Sequence, residues 1–135
     1  MTSDERKALI EQFLHALVAE DASAMHPMVH DDVMWWVPAS SAEKFHLDRP
    51  LVTWDGIPWF GGEGWKAFVP GSSVLEIHHL IAEDEFVSAH YRRTAHRVHG
   101  GEYDAEYNIL FHFAGDRIAE VWEVADTAAA FSTSR

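Results

Sequence analysis

Two alternating runs close the chain. From Tyr103 to Phe113 the odd positions read Tyr103, Ala105, Tyr107, Ile109, Phe111 and Phe113, against Asp104, Glu106, Asn108, Leu110 and His112 at the even ones. A period of two with one nearly clean apolar face marks a half-buried antiparallel strand. The Gly115-Asp116 dipeptide then predicts a hairpin into a partner strand that carries Glu120 and Glu123 and reaches Asp126. At the other end of the chain the period is helical. Within residues 5–20, Leu9, Phe13 and Leu17 recur at four-residue spacing and Ile10, Leu14 and Val18 widen the stripe. Thr2 and Glu5 have the spacing of a capping box.

Residues 21–30 read as a second, short helix with Pro27 near its first turn, where a missing N–H is tolerated. Val33, Trp35 and Val37 then alternate with Met34 and Trp36 in a strand stopped by Pro38. Residues 39–56 are mixed and rich in breakers, which predicts a long loop or a lid. Residues 63–69, EGWKAFV, predict a short helix with Trp65 and Phe68 facing in. Strands at 74–82 and 86–98 follow, joined by a turn at residues 83–85. With no internal repeat and no linker, the expectation is one domain over residues 1–135. Helices segregated to one side of a mostly antiparallel sheet make it α+β.

Pairing parity extends the argument from strands to a site. In 86–98 the odd set, Val87, Ala89, Tyr91, Arg93, is the more apolar in its first half and is placed inward. Directly opposed residues share a face, so two inward odd sets must pair with an even sum. That requires an odd-length loop at His99–Gly101, with a left-handed glycine and a bulge. It sets Arg93 opposite Tyr107 and Tyr91 opposite Ile109. An inward guanidinium needs a partner, and Glu123, Tyr107 and Tyr91 are the candidates. The last strand is open on this reading. A tight Gly115-Asp116 turn sends Ile118, Glu120, Trp122 and Val124 inward; a three-residue loop sends Val121, Glu123 and Ala125 inward.

Composition narrows the function classes. The 135 residues are 47% hydrophobic and include no cysteine, which removes disulfides, thiol catalysis and thiolate metal sites together. A formal net charge of -12 disfavours nucleic acid as a partner. No apolar run has the length of a membrane span and the charged N-terminus lacks a signal-peptide pattern, so no membrane partner and a cytoplasmic location are expected. The ten histidines are spread out. His78 and His79 alternate faces on a strand, His90 and His96 share a face with Arg92, and His26 and His30 lack the glutamate of an HExxH pattern, so no metal site is expected.

Three stretches carry a resemblance: the first helix running into VHDDVMWWVP, the segment PWFGGEGWKAF, and GDRIAEVWEVAD. In their order and spacing the chain resembles the SnoaL-like polyketide cyclase group of the nuclear transport factor 2-like superfamily. The resemblance implies a curved sheet wrapped on the N-terminal helices, a cone-shaped cavity (a cystatin-like α+β barrel), and a homodimer through the outer face of the sheet. It also tests chemistry by position. Where a ketosteroid isomerase of this superfamily has its tyrosine, base and acid, the chain has Phe13, Val37 and Ile109, all apolar, so that proton shuttle is removed. Where a limonene epoxide hydrolase has its Arg and two Asp residues, the chain has Tyr91, Arg93 and Glu123. That match favours the register with Glu123 inward.

The functional expectation is binding of a small hydrophobic, oxygenated molecule with acid–base catalysis and no cofactor; isomerisation, cyclisation, dehydration and hydrolysis all stay open. Arg93 and Tyr107 would stabilise developing negative charge, and Glu123 or His79 would move the proton. Phe13, Trp35, Val37, Trp59, Phe60, Tyr91 and Ile109 would line the ligand. The competing reading is a noncatalytic ligand-binding or assembly module, in which Arg93 and Glu123 form a structural ion pair and the aromatic residues are simply core.

Overall fold

The computed structural model describes residues 1–44, 46–56 and 67–126. Helix α1 (Ser3–Val18) starts as its sequence requires. Thr2 Oγ1 accepts from the Glu5 N–H at 3.1 Å, and Glu5 Oε1 accepts from the Thr2 N–H at 2.8 Å, a complete capping box. The helix ends with its apolar stripe at Val18, two residues short of the expected end at residue 20. The Asp21 N–H bonds the Ala16 carbonyl at 2.9 Å and the Glu20 N–H bonds the Leu17 carbonyl at 3.0 Å. This is a Schellman ending, with Glu20 at the left-handed position (φ 61°) where glycine is usual. Asp21 then caps α2 (Ala22–Met25), and Pro27 sits in a 3-10 turn, His26–Met28. Val29 and His30 already belong to β1 (Val29–Trp36) rather than to a longer second helix.

Residues 39–56, expected as a loop or lid, contain a helix and a strand, α3 (Ala39–Lys44) and β2 (Leu51–Thr53). Strand β2 pairs antiparallel with β1 and closes one edge of the sheet. The expected helix over 63–69 does not reach its last residues, because Phe68 forms a bridge with Arg97. Phe68 does face inward, while Trp65, Trp59 and Phe60 lie outside the described residues. Strands β3 (Val74–Glu83), β4 (Phe86–His96), β5 (Glu102–Ala114) and β6 (Arg117–Ala125) form the expected meander. The six strands run in the order β2-β1-β6-β5-β4-β3, antiparallel except for β1 on β6. The architecture is a curved α+β sheet with the N-terminal helices on one face.

The core lies between α1 and that face. Ile10, Phe13 and Leu14 pack against Val87, Ala89, Ile109, Phe111 and Phe113. Phe13 meets Phe111 edge-on at 5.7 Å between ring centroids and Trp35 at 6.0 Å. Burying each such ring contributes on the order of 2–3 kcal/mol.

The β4–β5 register keeps the required parity but slips by one pair on each strand: Tyr91 opposes Tyr107, and Arg93 opposes Ala105. The cause is a longer, still odd loop. Arg97 and Val98 leave the β5 ladder to pair with residues 67–69, so the last rung is His96 with Glu102. Five residues then turn the chain, with Gly100 and Gly101 at φ 94° and 92°. The left-handed glycine is present, and the ladder carries no bulge. In the β5–β6 hairpin neither open alternative holds along the whole strand: the turn is the tight one, but of its expected inward set only Ile118 faces in. Ala114 pairs Arg117 across a tight turn and Ile118 is inward; a bulge at Ala119 then exchanges the faces, so Val121 and Glu123 follow it inward.

Candidate functional site

A second bulge, on β3, decides which histidines can reach the inner face. Ile77 opposes Tyr91 and His79 opposes His90, so His78 is the extra residue. Leu75, Ile77, Leu80 and Ala82 pack inward, and His79 lies on the outer face beside His90, 3.4 Å away between Nδ1 atoms. His79 is therefore not an acid or base of the inner site. The same bulge corrects the premise that His78 and His79 point to opposite faces: His78 also reaches an outer-face partner, Glu106.

The remaining candidates converge on the inner face. Glu123 comes from β6 after the Ala119 bulge, Tyr91 and Arg93 from β4, and Tyr103 and Tyr107 from β5. The Trp35 indole N–H donates to Glu123 Oε1 at 2.9 Å. The rings of Tyr91 and Tyr107 stack at 4.9 Å with 9° between planes, and the Tyr107 hydroxyl bonds that of Tyr103. Burial raises the Glu123 carboxyl above the ordinary carboxylate range; the Trp35 N–H and the charge of Arg93 pull in the opposite direction. Burial raises Tyr91 and Tyr107 well above the usual phenol value, and the Glu123 charge raises both further. Three phenols and a carboxyl thus feel one another in a poorly solvated wall, where a hydrogen bond is stronger than in water.

Arg93 is 6% exposed, yet its expected partner is wrong. Its Nε and Nη2 donate to Ser73 Oγ at 3.1 and 2.9 Å, and Nη2 lies 3.5 Å from Glu20 Oε1. Its guanidinium carbon sits 4.6 Å over the Phe68 ring. Glu123 is bonded to Trp35 instead. The register slip accounts for this, because Arg93 faces Ala105 one rung further from Glu123, which opposes Ile109. Glu20 had one legible signal. A carboxylate at the C-terminal end of a helix opposes the macrodipole, and a non-glycine residue at the left-handed cap is strained. Ser73 lies just before β3 and carries no such signal.

Phe13, Trp35, Val37, Tyr91 and Ile109 are all buried within one apolar cluster. Trp35 alone among these five carries a described hydrogen bond to a carboxyl, the one to Glu123. The arrangement brings a carboxyl that can carry a proton beside tyrosine hydroxyls that can hold an oxygen.

A curved sheet wrapped over capped N-terminal helices, with a half-buried carboxyl and phenols on its inner face, defines a class: the α+β fold of NTF2-like proteins. Within it, residues 10–121 match the SnoaL-like domain, and the chain belongs to that family. Comparison with curated proteins finds no match. Among solved structures, the chain resembles AclR, a proposed hydroxylase from Streptomyces galilaeus, with TM-score 0.78, 19% identity, and coverage of 95% of this chain and 93% of that one. It also resembles IdmH, a proposed polyketide cyclase from Streptomyces antibioticus, with TM-score 0.77, 11% identity, and coverage of 91% and 93%. A third neighbour, TerC, co-crystallised with polyporic acid, gives TM-score 0.74, 17% identity, and coverage of 90% and 92%. These likenesses establish the fold. Among the described residues no helix is long and apolar enough to cross a membrane.

Proposed function

We propose that the inner face of the sheet binds a small hydrophobic molecule bearing hydroxyl or carbonyl oxygens, and that Glu123 moves a proton on it without a cofactor. The observation that carries this reading is the Glu123 carboxyl, half-buried on the inner face, accepting the Trp35 indole N–H and raised by its loss of solvent. A carboxyl tuned upward keeps its proton to higher pH than a solvated one, which suits it to give a proton and take it back. Tyr91 and Tyr107 are hydroxyl donors whose own ionisation is suppressed, so they stay available to hold an enolate or phenolate oxygen. Arg93 acts at a distance in this reading, since Ser73 and Glu20 hold its guanidinium. Family membership, and a neighbour of the same fold crystallised with polyporic acid, support the ligand class.

The second reading, a noncatalytic binding module, is favoured by one observation: one of the Tyr103 and Tyr107 hydroxyl protons is already used in the bond between them. The test separates the two. A panel of phenolic and quinoid polyketide-like compounds is titrated against the protein by tryptophan fluorescence, with product formation followed by mass spectrometry. The catalytic reading expects Glu123→Gln to retain binding and lose turnover, by about 100-fold or more. Binding by the parent protein without turnover of any bound compound favours the module. No binding by either protein removes the inner-face site altogether.

A further inference from the structure

The outer face of the sheet holds a group of side chains that plays no part in the inner site. The β3 bulge turns both His78 and His79 onto this face, opposite His90, and Glu106 reaches them from β5. Glu106 Oε1 lies 3.1 Å from His78 Nε2 and 3.2 Å from His90 Nε2. The three ligand atoms all lie within 4.8 Å of one another. For ligands at about 2.0–2.1 Å from a tetrahedral ion, the edge between two donors is roughly 3.3 Å. Two edges of the triangle already have about that length. The imidazoles are partly exposed and can close the third by small side-chain rotations.

We propose that His78, His90 and Glu106 form a binding site for a divalent transition-metal ion, with zinc as the best-fitting occupant. Two imidazole nitrogens and one carboxylate oxygen, with no thiolate, are a donor set suited to Zn²⁺, Co²⁺, Ni²⁺ or Cu²⁺ rather than to Ca²⁺ or Mg²⁺. A carboxylate oxygen facing two imidazole nitrogens repels their lone pairs, so each Nε2 must meet it through a proton or through a shared cation. His79 supplies the outer support that metal-binding histidines require. Its Nδ1 lies 3.4 Å from His90 Nδ1 with the rings stacked 10° apart, which directs the other nitrogen of His90 at Glu106.

The surrounding charges favour a cation. Arg92 is the near positive group, and it is occupied: Nε and Nη2 donate to Asp104 at 2.8 and 2.6 Å, and Nη1 lies 3.7 Å from Glu76. Two carboxylates against one guanidinium leave the local balance negative, in a chain of net charge -12. Three protein ligands leave at least one coordination position for water or a small ligand. The site borders a groove of about 430 Å³ whose lining includes His90, Glu106, Ser88, Asn108, Val124 and Asp126, so that position has somewhere to open. Of the three grounds for expecting no metal site, the structure alters two: His78 and His79 do not face apart, and the Arg92 that shares a face with His90 is paired with carboxylates.

The test uses the full chain, stripped with a chelator and titrated with Co²⁺ by visible absorption, then with Zn²⁺ by calorimetry. The proposal expects one Co²⁺ per chain with the intense d–d bands of a four- or five-coordinate ion, displaced by one equivalent of Zn²⁺. His90→Ala and Glu106→Gln should each weaken Zn²⁺ binding by on the order of 100-fold, and His79→Ala by about 10-fold. His112→Ala, on the same face but paired with Glu85, should leave the affinity unchanged. Circular dichroism confirms that each variant is folded, and His90→Gln serves if His90→Ala is not. Failure of Co²⁺ to saturate at one per chain overturns the proposal. So does binding that survives the His78→Ala/His90→Ala pair, which would mean the cluster is held by protons alone. Equal loss on His112→Ala would also overturn it, because the histidine-rich surface would then be a diffuse sink. None of these outcomes depends on the inner-face reading.

Discussion

Arg92 and Arg93 are neighbours in the chain and opposites in the molecule. Arg92 lies on the outer face and takes its partner from the adjacent strand, Asp104, whose carboxyl it holds below the usual range by hydrogen bonding. Arg93 lies on the inner face and takes its partners from far along the chain, Ser73 and Glu20. Other outer-face polar groups likewise find partners within reach of water, His96 with Glu102 across the β4–β5 ladder and His112 with Glu85 in the β3–β4 turn. The lesson concerns cost. An exposed guanidinium loses little if its partner is removed, because water replaces it. A buried one loses most of what compensates it, because water cannot follow.

Phe111 and Leu110 break the comparison most sharply if it is wrong. Phe111 is fully buried between Phe13 and Trp35, whereas Leu110 is 38% exposed on the other face. Phe111→Ala should cost about 4 kcal/mol in urea unfolding and Leu110→Ala under about 1 kcal/mol. Next is Glu20. Removing it leaves the buried Arg93 with the Ser73 hydroxyl and the Phe68 ring but without its described carboxylate, so Glu20→Ala should cost about 2–3 kcal/mol. Glu20→Gly should cost about 1 kcal/mol less, because glycine relieves the left-handed strain at φ 61°. Equal losses for the two variants would mean that the strain is not stored there.

The third expectation concerns pH. Burial raises the Glu123 carboxyl, so the folded state binds its proton more tightly than the unfolded chain. Its stabilising contribution is then complete below the unfolded value of about 4.3 and is lost as pH rises through the higher folded value. Glu123→Gln keeps an acceptor for the Trp35 N–H and has no charge to desolvate. The thermal midpoint of this variant should therefore change less than that of the parent between about pH 4 and about pH 7. An identical pH profile would show that Glu123 is solvated in the folded state. The smallest effect belongs to Arg92→Ala, whose unfolding midpoint should stay within error of the parent and whose difference, if any, should vanish in high salt.

Much of this was readable before folding, and the part that was not has one cause. Strand periodicity placed Tyr91, Arg93, Tyr107 and Ile109 on one face because side-chain direction alternates locally, residue by residue. The capping box at Thr2 and Glu5 and the parity of the β4–β5 loop are local rules of the same kind. The two β-bulges are not. One extra residue at His78 turned an expected inner acid–base group, His79, onto the outer face, and one at Ala119 put Glu123 inward behind a tight turn that by itself would have put Glu120 there. A bulge is chosen by how a strand fits its neighbours on both sides, and no pattern within the strand announces it. The pairing of Arg93 with Glu20 rather than Glu123 likewise depends on where the end of α1 comes to rest against the sheet.

The sequence by itself therefore determined the α+β layering, the family, the buried stripe of the closing hairpin and the polar residues that face inward from it. All of these follow from periodicity, turn chemistry and parity. Only the tertiary structure decided which charge meets which. It gave Arg93 to Glu20 and Ser73, Glu123 to Trp35, and His78 and His90 to Glu106, because a partner for a charge is selected by distance in space across elements that the chain brings together last.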